Sequence, residues 1–383
     1  METLKIDKMM KTNIKNTIII KTLILFACCF ILYSTVIAQI KDDFITEEVS
    51  FRNGETILAG MLSLPPLDGP YPAIVLISGS GPQDRDGATR AIPGYQPFAL
   101  IAKHLTSNGF AVLRYDDRGV GESTGSYIKA KEEDFIKDAE TAVRFLQGRK
   151  DIRPETVGVL GHSEGALIAA IVASNNPDVA FVISMAGGAV DGYSLLLRQA
   201  ERQAEALGMT KEQVAVVVQE QQTIFDLVLA KDWEELANVV TSLTLTRLKA
   251  LPEERTVEMD MEEFARTRAA QSVITFQHPR YQYLLGHDFG ADWEKVTVPV
   301  LALFGELDVQ CDVGLNKSAL EKVFTKTGNH NITIIEIPGA NHLFIKAQTG
   351  SMSEYPTLSK EFAPGFLEII SDWLSTYKAN IND

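Results

Sequence analysis

The sequence predicts an α/β protein: a mostly parallel sheet flanked by helices, interrupted by a helical insertion. Three observations predict it. Short apolar runs that do not alternate with polar residues are each followed by a helical period, as expected of strands buried on both faces. The rhythm halts at Gly187-Gly188 and gives way to about 100 residues that are helix-rich and strand-poor. It then resumes with the apolar run VPVLALF at 298–304.

The elements follow in order. Glu47–Arg52 and Thr56–Leu64 flank Asn53-Gly54 and read as a hairpin with a tight turn. Ala73–Ser78 is a buried strand, and Pro97–Ser107 is a helix closed by Asn108-Gly109. Ala111–Tyr115 is a strand, Glu132–Leu146 a helix, and Thr156–Leu160 a strand that runs at once into the Ala-rich helix Ala166–Ala173. Val179–Met185 is the next strand. Leu195–Leu207, Lys211–Ala230 and Trp233–Ser242 are helices of the insertion. After Val298–Phe304 come a further buried strand, Ile332–Ile337, and an amphipathic closing helix, Ser359–Tyr377. The expected organisation is a core of residues 39–188 and 293–383 around a cap at 189–292.

Residues 1–38 stand apart. Five lysines precede the apolar run LILFACCFILYSTVI, and the small residue Ala38 follows it. This pattern predicts a signal peptide cut after Ala38, with export to the periplasm or the medium. Two alternatives remain: an uncleaved anchor, although about 15 apolar residues are short for a span of about 20, and a lipoprotein lipidated at Cys28. Removal of the leader takes away Cys28 and Cys29 and leaves Cys311 without a partner, so the mature fold rests on its core rather than on disulfides. The chain has 383 residues and a net charge of −14. That acidity disfavours nucleic acid and anionic membrane surfaces as partners. No Cys/His spacing suits a zinc site, and the chemistry below calls for neither metal nor cofactor.

The candidate site begins at Gly161-His162-Ser163-Glu164-Gly165. G-x-S-x-G is a weak signal alone, but here it joins a strand directly to a buried helix. Such a sharp turn lifts the Ser163 hydroxyl clear of the sheet, and the glycines let the chains approach. A serine hydroxyl needs a base, and the base needs an orienting acid. Both appear in chain order and at strand ends: Asp308 after Val298–Phe304, and His342 after Ile332–Ile337. Glu306 and Asp312 are alternative acids. His104, His162, His278, His287 and His330 are read as structural, with His162 packed beside the turn and His278 and His287 able to touch substrate. The oxyanion donors are expected to be the backbone N–H groups of Glu164 and Ser80, with Gly81 a close second. Arg118, within Asp116–Ser123, reads as a brace paired with carboxylates. The sequon at Asn331 is discounted because it leads into a strand expected to be buried.

The motifs SGSGPQDRDG (78–87), RYDDRGVGESTG (114–125), GHSEGA (161–166), VPVLALFGELD (298–308) and PGANHLF (338–344) resemble the α/β-hydrolase superfamily. More narrowly, they look like bacterial esterases grouped with serine aminopeptidase-like hydrolases. His278-Pro279-Arg280-Tyr281 is similar to the return from the cap in those esterases. The resemblance covers about Thr46 to Tyr377 and departs at Ser78, where many relatives have His. It implies Ser163, Asp308 and His342 as the triad. The expected function is hydrolysis of a small-molecule carboxylic ester through an acyl-enzyme; the alternatives are a peptidase or amidase with the same triad, and a non-catalytic binding protein. The sequence says nothing of oligomeric state, and it implies no lasting membrane association once the leader is gone.

Overall fold

The structure, a computed structural model, describes residues 44–252 and 259–382. The predicted leader, with Cys28 and Cys29, lies outside the described residues. From Ile45 onward the chain clusters as one unit.

Strands β1 (Ile45–Asn53) and β2 (Thr56–Leu64) form the hairpin, in register from Ile45 opposite Leu64 to Asn53 opposite Thr56. Gly54 turns the corner at φ +58°, a conformation glycine takes without steric cost. Then follow β3 (Tyr71–Ile77), α1 (Pro97–Ser107), β4 (Ala111–Tyr115), α2 (Glu132–Gln147), β5 (Ile152–His162), α3 (Glu164–Asn175) and β6 (Val182–Met185). After the insertion come β7 (Val300–Gly305), α10 (Val313–Thr327), β8 (Ile332–Ile337) and α11 (Phe366–Asn382). The sheet has eight strands in the order β1-β2-β4-β3-β5-β6-β7-β8. β2 pairs antiparallel with β1 and β4, and the rest of the sheet is parallel.

The parallel arrangement explains the unbroken apolar runs. β3, β4, β6 and β7 have helices on both sides of the sheet, so almost every side chain is buried. The sequence of α3 is apolar all round, and residues Glu164 to Ala173 are buried without a break.

The insertion between β6 and β7 holds α4 (Gly192–Ala206), α5 (Lys211–Ala230), α6 (Trp233–Lys249), α7 (Met261–Gln277), α8 (Pro279–Gly286) and α9 (Phe289–Trp293). It has a small core of its own around Phe225, Val228, Leu236 and Leu285.

Two expectations need correction, and one helix goes beyond them. The closing helix begins at Phe366, not at Ser359, because Pro364 and Gly365, the latter at φ +82°, interrupt the chain just before it. β8 lies at the edge of the sheet, so only Ile337 among its residues is fully buried. It reads as apolar because one face still packs on the core. Helix α10 was not anticipated; Asp312 caps it by accepting the Leu315 N–H at 2.8 Å.

One close contact fixes β5 against β6 and α11. A Cβ added at Gly158 would run into the ring of Phe181, which packs edge-on to Trp373 and Tyr377. Gly158→Ala is therefore expected to destabilise the fold by ~1–3 kcal/mol, the range for overpacking, read as a lower urea midpoint. Phe181→Leu in the same chain should recover part of that loss. Strictly additive losses would show that the ring is not what occupies the space.

Candidate active site

β5 passes into α3 through Ser163 alone. Its backbone stands at φ +56°, ψ −120°, a region that L-residues other than glycine seldom occupy. Its N–H donates to the Met185 carbonyl at 2.8 Å, so the end of β6 holds the turn. The flanking glycines are required by contact. A Cβ at Gly161 would collide with the Gly165 backbone, and one at Gly165 with the carbonyl oxygens of Ile77 and Ser78.

Two loops at the same sheet edge reach the serine. After β7, Asp308 is 1% exposed, and its Oδ1 accepts the N–H groups of Gln310 and Cys311, both at 2.8 Å. After β8, Asn341 accepts the N–H groups of Leu343 and Ile345 and so shapes the loop that carries His342. His342 Nδ1 lies 2.8 Å from Asp308 Oδ2, and its Nε2 lies 3.0 Å from Ser163 Oγ. The structure thus brings together the three side chains singled out in the sequence. Both alternative acids are employed elsewhere: Glu306 accepts the Gly339 N–H, and Asp312 caps α10 and pairs with Arg198 and Arg202.

A family model described as serine aminopeptidase, S33, matches residues 92–348. The chain belongs to this family. Esterase EstD of Thermotoga maritima is 28% identical over 292 residues, which make up 76% of this chain and 59% of that esterase. A putative hydrolase of Bacillus subtilis, YtaP, is 31% identical over 118 residues, 27% of this chain and 38% of that protein. The chain thus spans less than two thirds of the length of these curated relatives. Among solved structures, an esterase of Pyrococcus furiosus matches with a TM-score of 0.51 at 14% identity, covering 88% of this chain and 92% of that one. A hypothetical protein of Pseudomonas aeruginosa matches with a TM-score of 0.50 at 15% identity, covering 88% and 95%. At such identities these structures show the shared α/β-hydrolase fold alone.

The rest of the site in this S33-family chain surrounds a cavity of about 390 Å³ that holds Ser163, His342, Ser80 and Glu164 in its wall. The Gly81 N–H, the second candidate for the oxyanion, is taken by the Tyr127 hydroxyl at 2.9 Å. The Ser80 N–H has no partner among the described residues. The Glu164 N–H, at the first position of α3, has none within its helix. Ser78 donates its hydroxyl to Asp117 Oδ1 at 2.6 Å, and Gln83 donates its N–H to Asp117 Oδ2 at 2.9 Å. The side chain that departs from the family pattern is therefore hydrogen-bonded, and burial pushes the Asp117 carboxyl up to about 7. Arg118 forks onto Asp138 with two contacts of 2.7 Å and acts as a brace, as its sequence context predicts.

His162 does more than pack. Its Nε2 lies 2.9 Å from the His342 carbonyl oxygen, and the two rings are 4.9 Å apart between centroids. A ring that donates Nε2–H to a carbonyl is well served by the neutral form. Burial, reinforced by the neighbouring His342, lowers its pKa to about 4. The sequence assigns no role to Arg280, quoted only within a motif, or to Tyr127, because their partners lie far off along the chain.

The lowered pKa makes His162 a source of acid sensitivity. Its ordinary value of 6.5 applies in the unfolded chain and about 4 in the folded one. Between these values the unfolded chain binds the extra proton, so stability falls as pH drops from 6.5 towards 4. His162→Gln keeps an N–H donor but cannot titrate. Its melting temperature should fall less steeply than that of the wild type across this window; parallel curves would refute the assignment.

Proposed function

We propose that this chain is an exported carboxylic-ester hydrolase working through an acyl-enzyme. The observation that carries the reading is the continuous relay from Asp308 Oδ2 through His342 to Ser163 Oγ, with contacts of 2.8 and 3.0 Å. Asp308 accepts Nδ1–H and so fixes the His342 tautomer whose Nε2 takes a proton. The Ser163 oxygen attacks the ester carbonyl as His342 removes its proton. The N–H groups of Ser80 and Glu164 hold the negative oxygen of the tetrahedral intermediate. His342 then returns the proton to the departing alkoxide. Water, activated by the same ring, releases the acyl group and frees Ser163.

The cavity favours a neutral acyl group. Leu167, Leu195, Leu196, Leu284 and Phe98 line it, and its one carboxylate, Glu164, is engaged by Arg280 at 2.8 Å. An aminopeptidase needs a free anion to hold the substrate's ammonium group, and among the described lining residues none is on offer. The description of the family model names an aminopeptidase, whereas the likeness to esterase EstD supports the ester, and the cavity lining favours the second. In this reading residues 1–38 are a signal peptide removed on export, and the 189–292 insertion is a cap that shapes access to the cavity.

Ser163→Ala should lower kcat/KM for a short-chain p-nitrophenyl ester by ~10³–10⁶-fold with little change in melting temperature. A fluorophosphonate probe should label the wild type at Ser163 and leave the variant untouched. A fully active Ser163→Ala protein would sink the mechanism. Faster turnover of an aminoacyl anilide than of the matched ester would overturn the substrate class, and failure to label would favour a binding protein.

A further inference from the structure

Behind the oxyanion side of the cavity lies a buried cluster of charges that the relay does not use. Arg280, the second residue of α8, reaches out of the insertion and into the core. Its Nε donates to Glu132 Oε2 at 3.0 Å, and its Nη2 lies 2.8 Å from Glu164 Oε2. The guanidinium sits against two rings, 4.0 Å from the centroid of Phe135 and 4.9 Å from that of Tyr127. All three charged side chains are at most 12% exposed.

Both segments that carry the proposed oxyanion donors are tied to this cluster. Glu164 carries one of the N–H groups on its own backbone. Tyr127, under the guanidinium, accepts the Gly81 N–H and thereby anchors the loop whose preceding residue, Ser80, carries the other. The void left between Gly79, Tyr127, Glu164 and Arg280 is only about 10 Å³, roughly one water probe. The start of α8 is itself pinned beside Tyr127. His278 Nδ1 accepts the Arg280 N–H at 3.3 Å, and its Nε2 lies 2.7 Å from the Ile128 carbonyl oxygen.

The cluster is a poor device for stability alone. Two carboxylates share one guanidinium, and burial next to Glu164 drives the Glu132 carboxyl well above the usual range. Apolar side chains of equal volume commonly replace such a cluster with no loss, or with a gain, in stability. Its placement is what a positioning role requires: one planar group, carried by the insertion, touches the Glu164 side chain and the Tyr127 ring, and each of these is tied to one of the two donor segments.

We propose that Arg280 is a positioning residue that sets the oxyanion hole from the insertion, through Glu164 on one side and Tyr127 on the other. The inference rests on the esterase reading of the same site. Docking of α8 and alignment of the hole become a single event, so a chain with a displaced insertion would keep its Ser163–His342–Asp308 relay and still stabilise the intermediate poorly.

The test compares Arg280→Gln, Arg280→Lys and Tyr127→Phe with the wild type in ester hydrolysis and in inhibition by a trifluoromethyl ketone that forms a tetrahedral adduct. Arg280→Gln should lower kcat by ~10–100-fold, approaching the cost of a lost oxyanion donor, with KM within ~3-fold. Its affinity for the ketone should fall in step with kcat/KM. Arg280→Lys should recover little, since an ammonium cannot fork between two carboxylates. Tyr127→Phe keeps the ring but frees the Gly81 N–H, and should cost ~3–10-fold in kcat alone, the scale of one neutral hydrogen bond. Losses confined to KM or melting temperature, or a Tyr127→Phe enzyme with unchanged kcat, would overturn the proposal. If Arg280→Gln does not fold, Tyr127→Phe and the lysine variant decide. An inactive wild type would instead count against the esterase reading, and fluorophosphonate labelling separates the two failures.

Discussion

The site depends on the backbone at Ser163. A residue with a side chain is held at φ +56° only where its surroundings leave no alternative. Here the surroundings are the Met185 carbonyl, which receives the serine N–H, and two glycines that admit neighbouring backbone where a Cβ would collide. The constraint runs outward from there. Gly165 presses on the ends of β3, the strand that leads into the Ser78–Gly81 loop, and Met185 belongs to β6, which pairs with β7, the strand that leads to Asp308. One strained residue therefore ties together the chain segments that converge on the cavity.

His342 is held with comparable economy. His342 is gripped through its ring by Asp308 and through its carbonyl by His162, its neighbour across the elbow. His162 precedes Ser163 directly, so a hydrogen bond from its ring fixes the distance between the elbow and the loop after β8. The ring must be neutral to donate without the cost of a buried charge, and burial supplies that condition. Backbone donors on Asp308 complete the chain of orientation, from Gln310 and Cys311 to the serine oxygen.

What the sequence made legible follows from the range of the forces involved. Strand-end placement is local: a run such as TVGVL, followed by Gly161 and an Ala-rich helix, announces the elbow from about a dozen residues. Asp308 and His342 were found in the same way, each a few residues beyond an apolar run. The edge position of β8 was not legible, because an edge strand with one covered face has nearly the composition of a central one. The late start of α11 was legible in principle, since Pro364 and Gly365 stand in plain view, but the amphipathic period upstream outweighed them. Arg280 was quoted within a motif without a role. Its partners Glu132 and Glu164 lie 148 and 116 residues away, and nothing in local composition distinguishes an arginine that crosses into the core from one on a solvated face.

The same argument explains why the Ser163–His342–Asp308 arrangement is easier to read than the shape of the cavity. The relay is carried by strand ends, and a sheet with known strand order leaves them little freedom. The insertion's contribution to the cavity, Leu195, Leu196, Gln199 and Leu284, comes from α4 and α8, which meet the main core through Leu195, Tyr283 and Leu284 and through long-range polar contacts. On one flank Arg198 and Arg202, four residues apart on α4, converge on Asp312 at 3.3 and 3.2 Å. On the other, His278 and Arg280 hold α8 to Ile128, Glu132 and Glu164. Between these anchors the insertion packs largely on its own core around Phe225 and Leu236. A helix docked by apolar burial would declare its face in the hydrophobic period. The polar contacts of α4 and α8 leave no such signature, so the shape of the cavity is set in part by charges whose partners only the folded chain reveals.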